Sequence, residues 1–351
     1  MIAVMDRPSQ KRFKVGIRPP EWVSGHASRL FEGFLDFQRT GAAMALHFDQ
    51  PTGGDIAPYL IGSDWKGDGL LVHRYTQKEA QAWHDAGISV VNLSAICPEN
   101  SIIFPRVTVD NEALGEVAYE HLANLGIRDF AYLHEPTRTY SELRMKGFRS
   151  KVIENEGNFH VIEIPVSSFP VATRPQQIDD CLRGQLIALP KPCGLLLKDD
   201  IAGVWTARLL HELGIKSPDE IAMLGISDDI IFCHTTQPPL SSIPYPGRCI
   251  GFAAAKLLDS MIRDREDRLG YWLKLPPGAV VARESTHHVV LPDEIVSHAL
   301  NFLKQETPKR PVSVAELCSV VGISREGLRQ RFTKALGHSP KKETERLRCL
   351  A

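Results

Sequence analysis

Apolar residues in this chain recur in two alternating rhythms. Short, nearly unbroken apolar runs of the kind a buried strand needs occur at FKVGI (13–17), AMALHF (43–48), GLLVH (69–73), ISVVNLS (88–94), FAYLH (130–134), HVIEIP (160–165), GLLLK (194–198) and IAMLGI (221–226). Between them lie longer stretches whose apolar residues return every three or four positions, as on a helix with one buried face. These are ASRLFEGFLDFQ (27–38), QKEAQAWHDAG (77–87), NEALGEVAYEHLANLG (111–126), SELRMKGFRSKVIENEG (141–157), AGVWTARLLHELG (202–214) and IGFAAAKLLDSMIRD (250–264). Strand and helix in alternation predict parallel strands, because parallel neighbours need a crossover connection and the crossover helices cover both sheet faces. The alternation is too long for one sheet, so an α/β architecture of two doubly wound lobes with a cleft between them is expected. In such folds ligands bind beyond the carboxyl ends of the strands. That singles out the loops RPPEWVSGH (18–26), VTVDN (107–111), the segment reaching Arg144, KDD (198–200) and ISDD (226–229).

Past residue 292 the rhythm is helical only. DEIVSHALNFLKQE (293–306) reads as an amphipathic helix. VSVAELCSVVGISREGLRQRFTKALG (312–337) reads as a short helix, a turn at Gly322 and a second helix starting at Ser324, a helix-turn-helix pattern. Ser324 is suited to N-capping, although Gly327 stands where a capping box places Glu. Leu328, Phe332 and either Ala335 or Leu336 share one face and are expected inside, which leaves Arg325, Glu326, Arg329, Gln330 and Thr333 outside. Arginine can pair with guanine O6/N7 in the major groove and glutamate can accept from cytosine N4. Ser324, Arg325, Glu326, Arg329 and Gln330 are therefore the candidate DNA-contacting residues, with a solvated helix face as the plainer alternative.

Composition changes this picture in few places. A chain of 351 residues, 43% hydrophobic and 24% charged, fits two soluble domains. No run approaches the roughly 18 apolar residues of a spanning helix, and the start, MIAVMDRPSQKRF, lacks the apolar stretch of a secretion signal, so a cytoplasmic protein without membrane contact is expected. Net charge is −1, from 41 Lys+Arg and 42 Asp+Glu, but its distribution is uneven. Residues 293–351 hold eleven basic and seven acidic residues, leaving 30 and 35 for residues 1–292. A basic module on a mildly acidic body fits a nucleic-acid arm on a sensor, as it also fits a charged helical face. The seven cysteines form an odd set without a CxxC pair, which predicts buried or inert thiols. There is no GxGxxG after a strand, no P-loop, no GxSxG and no HExxH, and the His287–His288 pair is expected to be exposed beside a linker. Neither catalysis, a cofactor nor a metal is expected. An exported solute-binding protein, the other class with two such lobes, is disfavoured by the missing signal.

Several stretches, taken in order, carry a resemblance. VTVDNEALGEVAYEHLANLGIRDFAYLHEP, SELRMKGFRSKVIENEG, IKSPDEIAMLGISDD, PPLSSIPYPGRCIGFAAAKLL and ARESTHH together resemble the type I periplasmic-binding-protein-like effector domain of LacI/GalR-type regulators. The similarity covers about residues 13–290, after a leader at 1–12. Residues 293–351 resemble the first helix-turn-helix of an AraC-type DNA-binding domain, and the whole layout is similar to that of xylose-responsive XylR-type regulators. The resemblance implies a sugar-sensing, homodimeric transcriptional regulator on operator DNA, with RNA polymerase as a candidate further partner. It also implies site residues. Arg144, in LRMKGF, falls on the arginine that points into the family's cleft, against the plainer reading of a surface arginine on a helix. Asp110, in VTVDN, falls on a cleft-facing aspartate, with capping of the following helix as its rival role. Asp199 and Asp200 stand where Asn-Asp is usual. Trp22 and His26 occupy the first loop, where an aromatic ring can stack on a sugar or simply pack. LGISDD departs from the pattern, placing Ser227 where XylR-like members carry a sugar-binding aspartate, with Asp228 next to it. A hydroxyl cannot supply that charged acceptor, so weak or absent D-xylose binding is expected. The expected effector-binding set is therefore Trp22, His26, Asp110, Arg144, Asp199, Ser227 and Asp228. An AraC-type domain carries two helix-turn-helix units joined by a long helix, and this sequence ends at Ala351 within what resembles that helix. Low DNA affinity is expected from one unit, because it makes fewer phosphate contacts than two. The alternative is a dimeric, effector-binding modulator that has lost operator binding.

Overall fold

The structure, a computed structural model, describes residues 12–18, 24–48, 61–165, 173–287, 293–307, 309–336 and 338–350. Its strands form two sheets, and every pairing between them is parallel. In the first lobe β1 (Phe13–Arg18), β2 (Met44–Phe48), β3 (Gly69–Val72), β4 (Ser89–Asn92), β5 (Arg106–Val109) and β11 (Trp272–Leu275) lie in the order β11-β5-β4-β3-β1-β2. Helices α1 (Ser24–Arg39), α2 (Gln77–Asp85) and α8 (Gly247–Asp264) cover it. In the second lobe β6 (Asp129–His134), β7 (Asn158–Glu163), β8 (Cys193–Leu196), β9 (Ile221–Ser227) and β10 (Ser241–Pro244) lie in the order β10-β9-β8-β6-β7. With them go α3 (Asn111–Ala123), α4 (Thr139–Glu154), α5 (Arg174–Ala188), α6 (Asp200–Glu212) and α7 (Ile230–Thr235). The chain enters the second lobe after β5, returns to the first after β10, and comes back once more after β11, where Val281 bridges to Ser242. The expected two-lobed, doubly wound α/β fold is therefore present.

Burial explains why these segments became strands. β3 and β8 are buried at all four positions and β9 at six of seven, as strands sandwiched between helices must be. Trp83, Tyr75 and Phe104 fill the first lobe around Leu70 and Val90. Ile162, Leu182, Leu195, Met223 and Leu240 fill the second. One packing device occurs in both lobes. A Cβ on Gly251 would land on the Leu30 carbonyl and one on Gly33 on the Arg248 carbonyl, so α1 and α8 touch backbone to backbone. In the same way a Cβ on Gly147 would land on the Glu112 carbonyl and one on Gly115 on the Arg144 carbonyl, so α3 and α4 meet just as closely.

The structure corrects several sequence expectations. Residues 107–111, expected as a loop, contribute most of β5, whose residues RVTV lack the unbroken apolar run that marks the equally short β3. The segments β10 and β11 are equally short. Helix α5 was not foreseen because its buried residues, Ile178, Leu182 and Leu186, are spread thinly among polar neighbours.

The chain divides into two compact units, a larger one containing both lobes and a smaller one made of Ala123–Ile127 and His288–Ala351. The smaller unit contains α9 (Glu294–Glu306), α10 (Val314–Val321), α11 (Arg325–Leu336) and α12 (Pro340–Leu350). Val296, Leu300, Leu303, Leu317, Leu328 and Phe332 form its core. Asp293 caps α9 by accepting from the Ile295 and Val296 amides, and Ser313 caps α10 by accepting from the Glu316 amide. Gly322 ends α10 in the left-handed region at φ 71°, where glycine is favoured. A three-residue connection, Gly322–Ser324, then leads into α11. No described helix is long and apolar enough to cross a membrane.

Candidate functional site

A cavity of about 510 Å³ lies between the two lobes, lined by residues from loops at the carboxyl ends of strands in both sheets. From the first lobe come His26 on α1, His73 and Arg74 after β3, and Ser94 after β4. The His26 ring lies against Tyr245 at a centroid distance of 4.3 Å and edge-on to His73 at 5.8 Å. Burial, assisted by the charges of Arg29 and Arg144, pushes the His26 pKa down to about 3, so this ring is neutral at pH 7. Burial likewise holds His73 well below the ordinary histidine value. Tyr245, in the second crossover between lobes, is half-buried, and its withdrawal from water raises its pKa.

Among the described lining residues the second lobe supplies most of the charge. Arg144 sits on α4, on the stretch pressed against Gly115, and is 7% exposed. Its Nε donates to Asn111 Oδ1 at 2.9 Å and its Nη1 to the Lys198 carbonyl at 2.5 Å, while its guanidinium lies over the Tyr140 ring at 4.8 Å. These contacts fix the fork and leave Nη2 without a hydrogen-bond partner among the described residues. Lys198, after β8, has its Nζ 2.6 Å from Asp199 Oδ2 and 4.0 Å from Glu135 Oε2. Burial alone lowers the Lys198 pKa, but Asp199, Tyr140 and Glu135 outweigh it, and the net shift is upward. Asp199 also caps α6, accepting from the Ala202 amide at 2.8 Å.

The Ser227–Asp228 turn has positive φ values of 134° and 53°. Arg29, on α1 of the first lobe, clamps it by donating to both carbonyls, at 2.5 and 2.7 Å. Behind the turn, buried Asp200 accepts from the Asp229 amide at 2.8 Å and from Ser242 Oγ at 2.7 Å. Burial raises the Asp200 pKa to about 6.

The expected effector residues divide accordingly. His26, Arg144, Asp199 and Ser227 line the same cavity. Asp110 is not among the lining residues; its Oδ1 accepts from the Glu112 and Ala113 amides at 3.1 and 3.3 Å, the rival capping role. The following residue, Asn111, lines the cavity instead. Asp228 is also outside the lining set, with its carboxylate on Arg283 at 2.7 Å. Trp22 lies outside the described residues. Lys198 lies in the expected loop 198–200, although it was not named as a ligand residue, and Arg74, Arg138, Arg174, Trp205 and Tyr245 line the cavity without having been expected there. No local motif announces them, because they come from separate loops and helices, Arg174 on α5 and Trp205 on α6 among them, that only the topology brings together.

Just before α11, Ser324 Oγ accepts from the Gly327 amide at 3.1 Å, and on the helix Arg325, Glu326, Arg329 and Gln330 are all exposed. Glu326 accepts from Arg329 at 2.8 and 3.0 Å and from Gln330 at 3.2 Å, so part of this polar row is internally paired. Leu328 and Phe332 point inward, as expected. The described cysteines with placed side chains are free thiols; Cys193 and Cys233 are buried, whereas Cys249 is exposed. His287 is partly buried rather than exposed, and His288 lies outside the described residues. Among the described residues no group of His, Cys, Asp or Glu could hold a metal ion.

Two parallel-sheet lobes around a ligand-sized cavity define a periplasmic-binding-protein-like architecture, and residues 119–286 match the model of the periplasmic binding protein-like domain. The chain contains that domain. It is 27% identical over 284 residues to the xylose operon regulatory protein of Escherichia coli K12, covering 79% of this chain and 70% of the relative. In fold it is similar to a structure of the xylose-binding transcription activator XylR, with a TM-score of 0.67 at 21% identity over 96% of this chain and 86% of that one. It is also similar to a LacI family transcriptional regulator from Enterococcus faecalis V583 with bound ribose, with a TM-score of 0.59 at 18% identity over 78% and 99% of the two chains.

Proposed function

We propose that this protein is a DNA-binding transcriptional regulator that responds to a sugar or sugar-like effector held between its two lobes. The observation that carries this reading is Arg144, a buried guanidinium held in the interlobe cavity by Asn111 and the Lys198 carbonyl with donor capacity remaining. Arginine's rigid fork suits polar, multiply hydroxylated ligands, and the His26 and Tyr245 rings offer an apolar wall. His26, Asp199, Ser227 and Asn111 complete the effector-binding set. The regulator names of the relatives described above support the same reading.

The C-terminal helices are the DNA-reading element in this account, an AraC-type helix-turn-helix with Arg325, Glu326, Arg329 and Gln330 on the exposed face of α11. The protein acts in the cytoplasm as a homodimer and performs no catalysis. Effector binding selects a closed arrangement of the lobes and so changes how the C-terminal helices are presented to the operator, which requires a different affinity for the two arrangements. The test is enrichment of random duplex DNA on the full chain. The expected outcome is one recurrent site whose occupancy changes with effector and falls on Arg325→Ala or Arg329→Ala. Recovery of unrelated sequences would contradict operator recognition and leave the protein as an effector-binding modulator.

A further inference from the structure

The polypeptide passes from the larger unit into the smaller at two points, after Leu122 near the end of α3 and after His287. One hydrogen bond joins the chain just ahead of both. His121 Nε2 lies 2.8 Å from Thr286 Oγ1. Thr286 is buried, and its hydroxyl is also 2.7 Å from Ser241 Oγ on β10. It ends a single 3₁₀ turn, Glu284–Thr286, whose Ser285 Oγ donates to the Met223 carbonyl on β9 at 2.7 Å and accepts from the Ser241 amide at 2.8 Å. Residues 283–286 are thus a strap tied to the second sheet, beside both crossings.

The other end of the strap reaches the interlobe cleft. Arg283 Nη1 donates to the Leu240 carbonyl at 3.0 Å and its Nη2 to Asp228 Oδ1 at 2.7 Å. Asp228 follows the cavity-lining Ser227, and the carbonyls of both accept from Arg29 of the first lobe. Neither residue of that turn is glycine, yet both have positive φ, a conformation that side chains disfavour and that persists only where the surroundings impose it. Ser242 and Asp200 restrain the turn from within its own lobe, at the Asp228 and Asp229 amides, whereas Arg29 restrains it from the opposite one. Separation of the lobes therefore removes Arg29 and lets the turn relax. A relaxed turn no longer holds the Asp228 carboxylate against Arg283. An element with two such arrangements moves whatever is tied to it when a ligand favours one of them.

We propose that the Arg283–Thr286 strap couples the interlobe cleft to the C-terminal unit: Arg29 holds the Ser227–Asp228 turn, the turn holds Arg283, and the strap holds Thr286 on His121 beside both crossings. This rests on the effector-responsive reading above and adds the route by which closure of the lobes reaches the DNA-reading helices.

The test is hydrogen exchange, read by mass spectrometry on the full chain without ligand or DNA, so that its result does not depend on which compound is the effector. Arg29→Gln should speed exchange roughly tenfold at the Asp228 and Asp229 amides, at Arg283–His287 and at Leu122–Ile127, with Leu195–Leu197 unchanged. In an Asp228→Asn background the same substitution should change the turn only, a non-additivity that independent contacts do not show. In a Thr286→Val background its effect should reach Arg283 but not Leu122–Ile127. Arg29→Lys, which keeps the charge but not the fork, guards against loss of folding in the first variant and should give a smaller change at the same places. Faster exchange at the turn alone, or no change at the turn, overturns the proposal. So does a rise that includes Leu195–Leu197, which reports a general loss of stability. The random-duplex enrichment tests the regulatory reading separately: unrelated sequences there, with transmitted exchange here, leave the coupling standing without operator recognition.

Discussion

The two lobes share a construction and differ in what they bring to the cavity. Each is a parallel sheet with a glycine-to-glycine helix contact, α1 against α8 in the first and α3 against α4 in the second. Among the described lining residues the first lobe contributes mainly neutral groups, the His26 and His73 rings and Ser94, together with Arg74. The second contributes Arg138, Arg144, Arg174, Lys198 and both carboxylates. In each lobe this helix contact fixes a helix that carries a cavity residue, His26 on α1, one turn before Leu30, and Arg144 on α4, whose own carbonyl lies in the contact.

The largest effects should come from the glycine contacts. Gly147→Leu and Gly251→Leu each force a side chain into the backbone of the facing helix, and each should destabilise the effector unit by about 3 kcal/mol. Chemical denaturation would show similar losses for the two. Of the two variants, Gly147→Leu should lose more effector binding under conditions where both remain folded, because the α3–α4 contact includes the Arg144 carbonyl itself, whereas the α1–α8 contact meets α1 at Leu30, one turn from His26. Equal effector binding by both would break the distinction between the lobes.

Arg144→Ala should rank next. It removes a cavity donor and leaves the Lys198 carbonyl and Asn111 Oδ1 without their partner, and it should weaken effector binding roughly 100-fold. Arg144→Lys keeps the charge but loses the fork, so it should restore only part of the affinity.

Acid sensitivity distinguishes the histidine wall. With a folded pKa of about 3 against 6.5 ordinarily, His26 takes up its proton more readily in the unfolded chain. Its contribution is therefore complete above about pH 6.5 and declines as pH falls towards 3, by up to about 1.4 kcal/mol per pH unit. Asp200 acts in the opposite sense, because its folded pKa of about 6 lies above 3.8; its contribution is lost as pH rises through that window. Melting temperature against pH should fall on acidification below 6.5, and His26→Phe should flatten that fall. An unchanged slope would show that His26 is not the neutral, buried ring described.

The smallest effect belongs to the Asp228–Arg283 pair, which is partly exposed. Asp228→Asn should cost about 1 kcal/mol or less in thermal denaturation and leave effector affinity nearly intact. A large loss of binding would return Asp228 to the effector site.

Much of this arrangement was legible in the sequence, because long amphipathic helices and buried strands have a period that survives without tertiary context. Arg144 stood out instead through the resemblance of LRMKGF to the family's cleft arginine, because the buried face of α4 mixes Ser141, Arg144 and Gly147 with Phe148 and Val152 and carries little apolar period. The four-residue strands β5, β10 and β11 did not, and α5 buries too few residues to mark its face. Asp110 shows the limit at the site itself, where one residue separates a helix cap from the cavity-lining Asn111. Arg74, Arg138 and Arg174 are ordinary surface arginines when read along the chain. Only the topology makes them neighbours.

The most direct test of the account is a thermal-shift screen of the full chain against sugars, sugar acids, sugar phosphates and polyols, repeated on Arg144→Ala, since a ligand specific for the native state raises its melting temperature. The account predicts stabilisation by one compound or a closely related few, lost in the Arg144→Ala protein. Stabilisation that survives the substitution, or none with any compound, would contradict it.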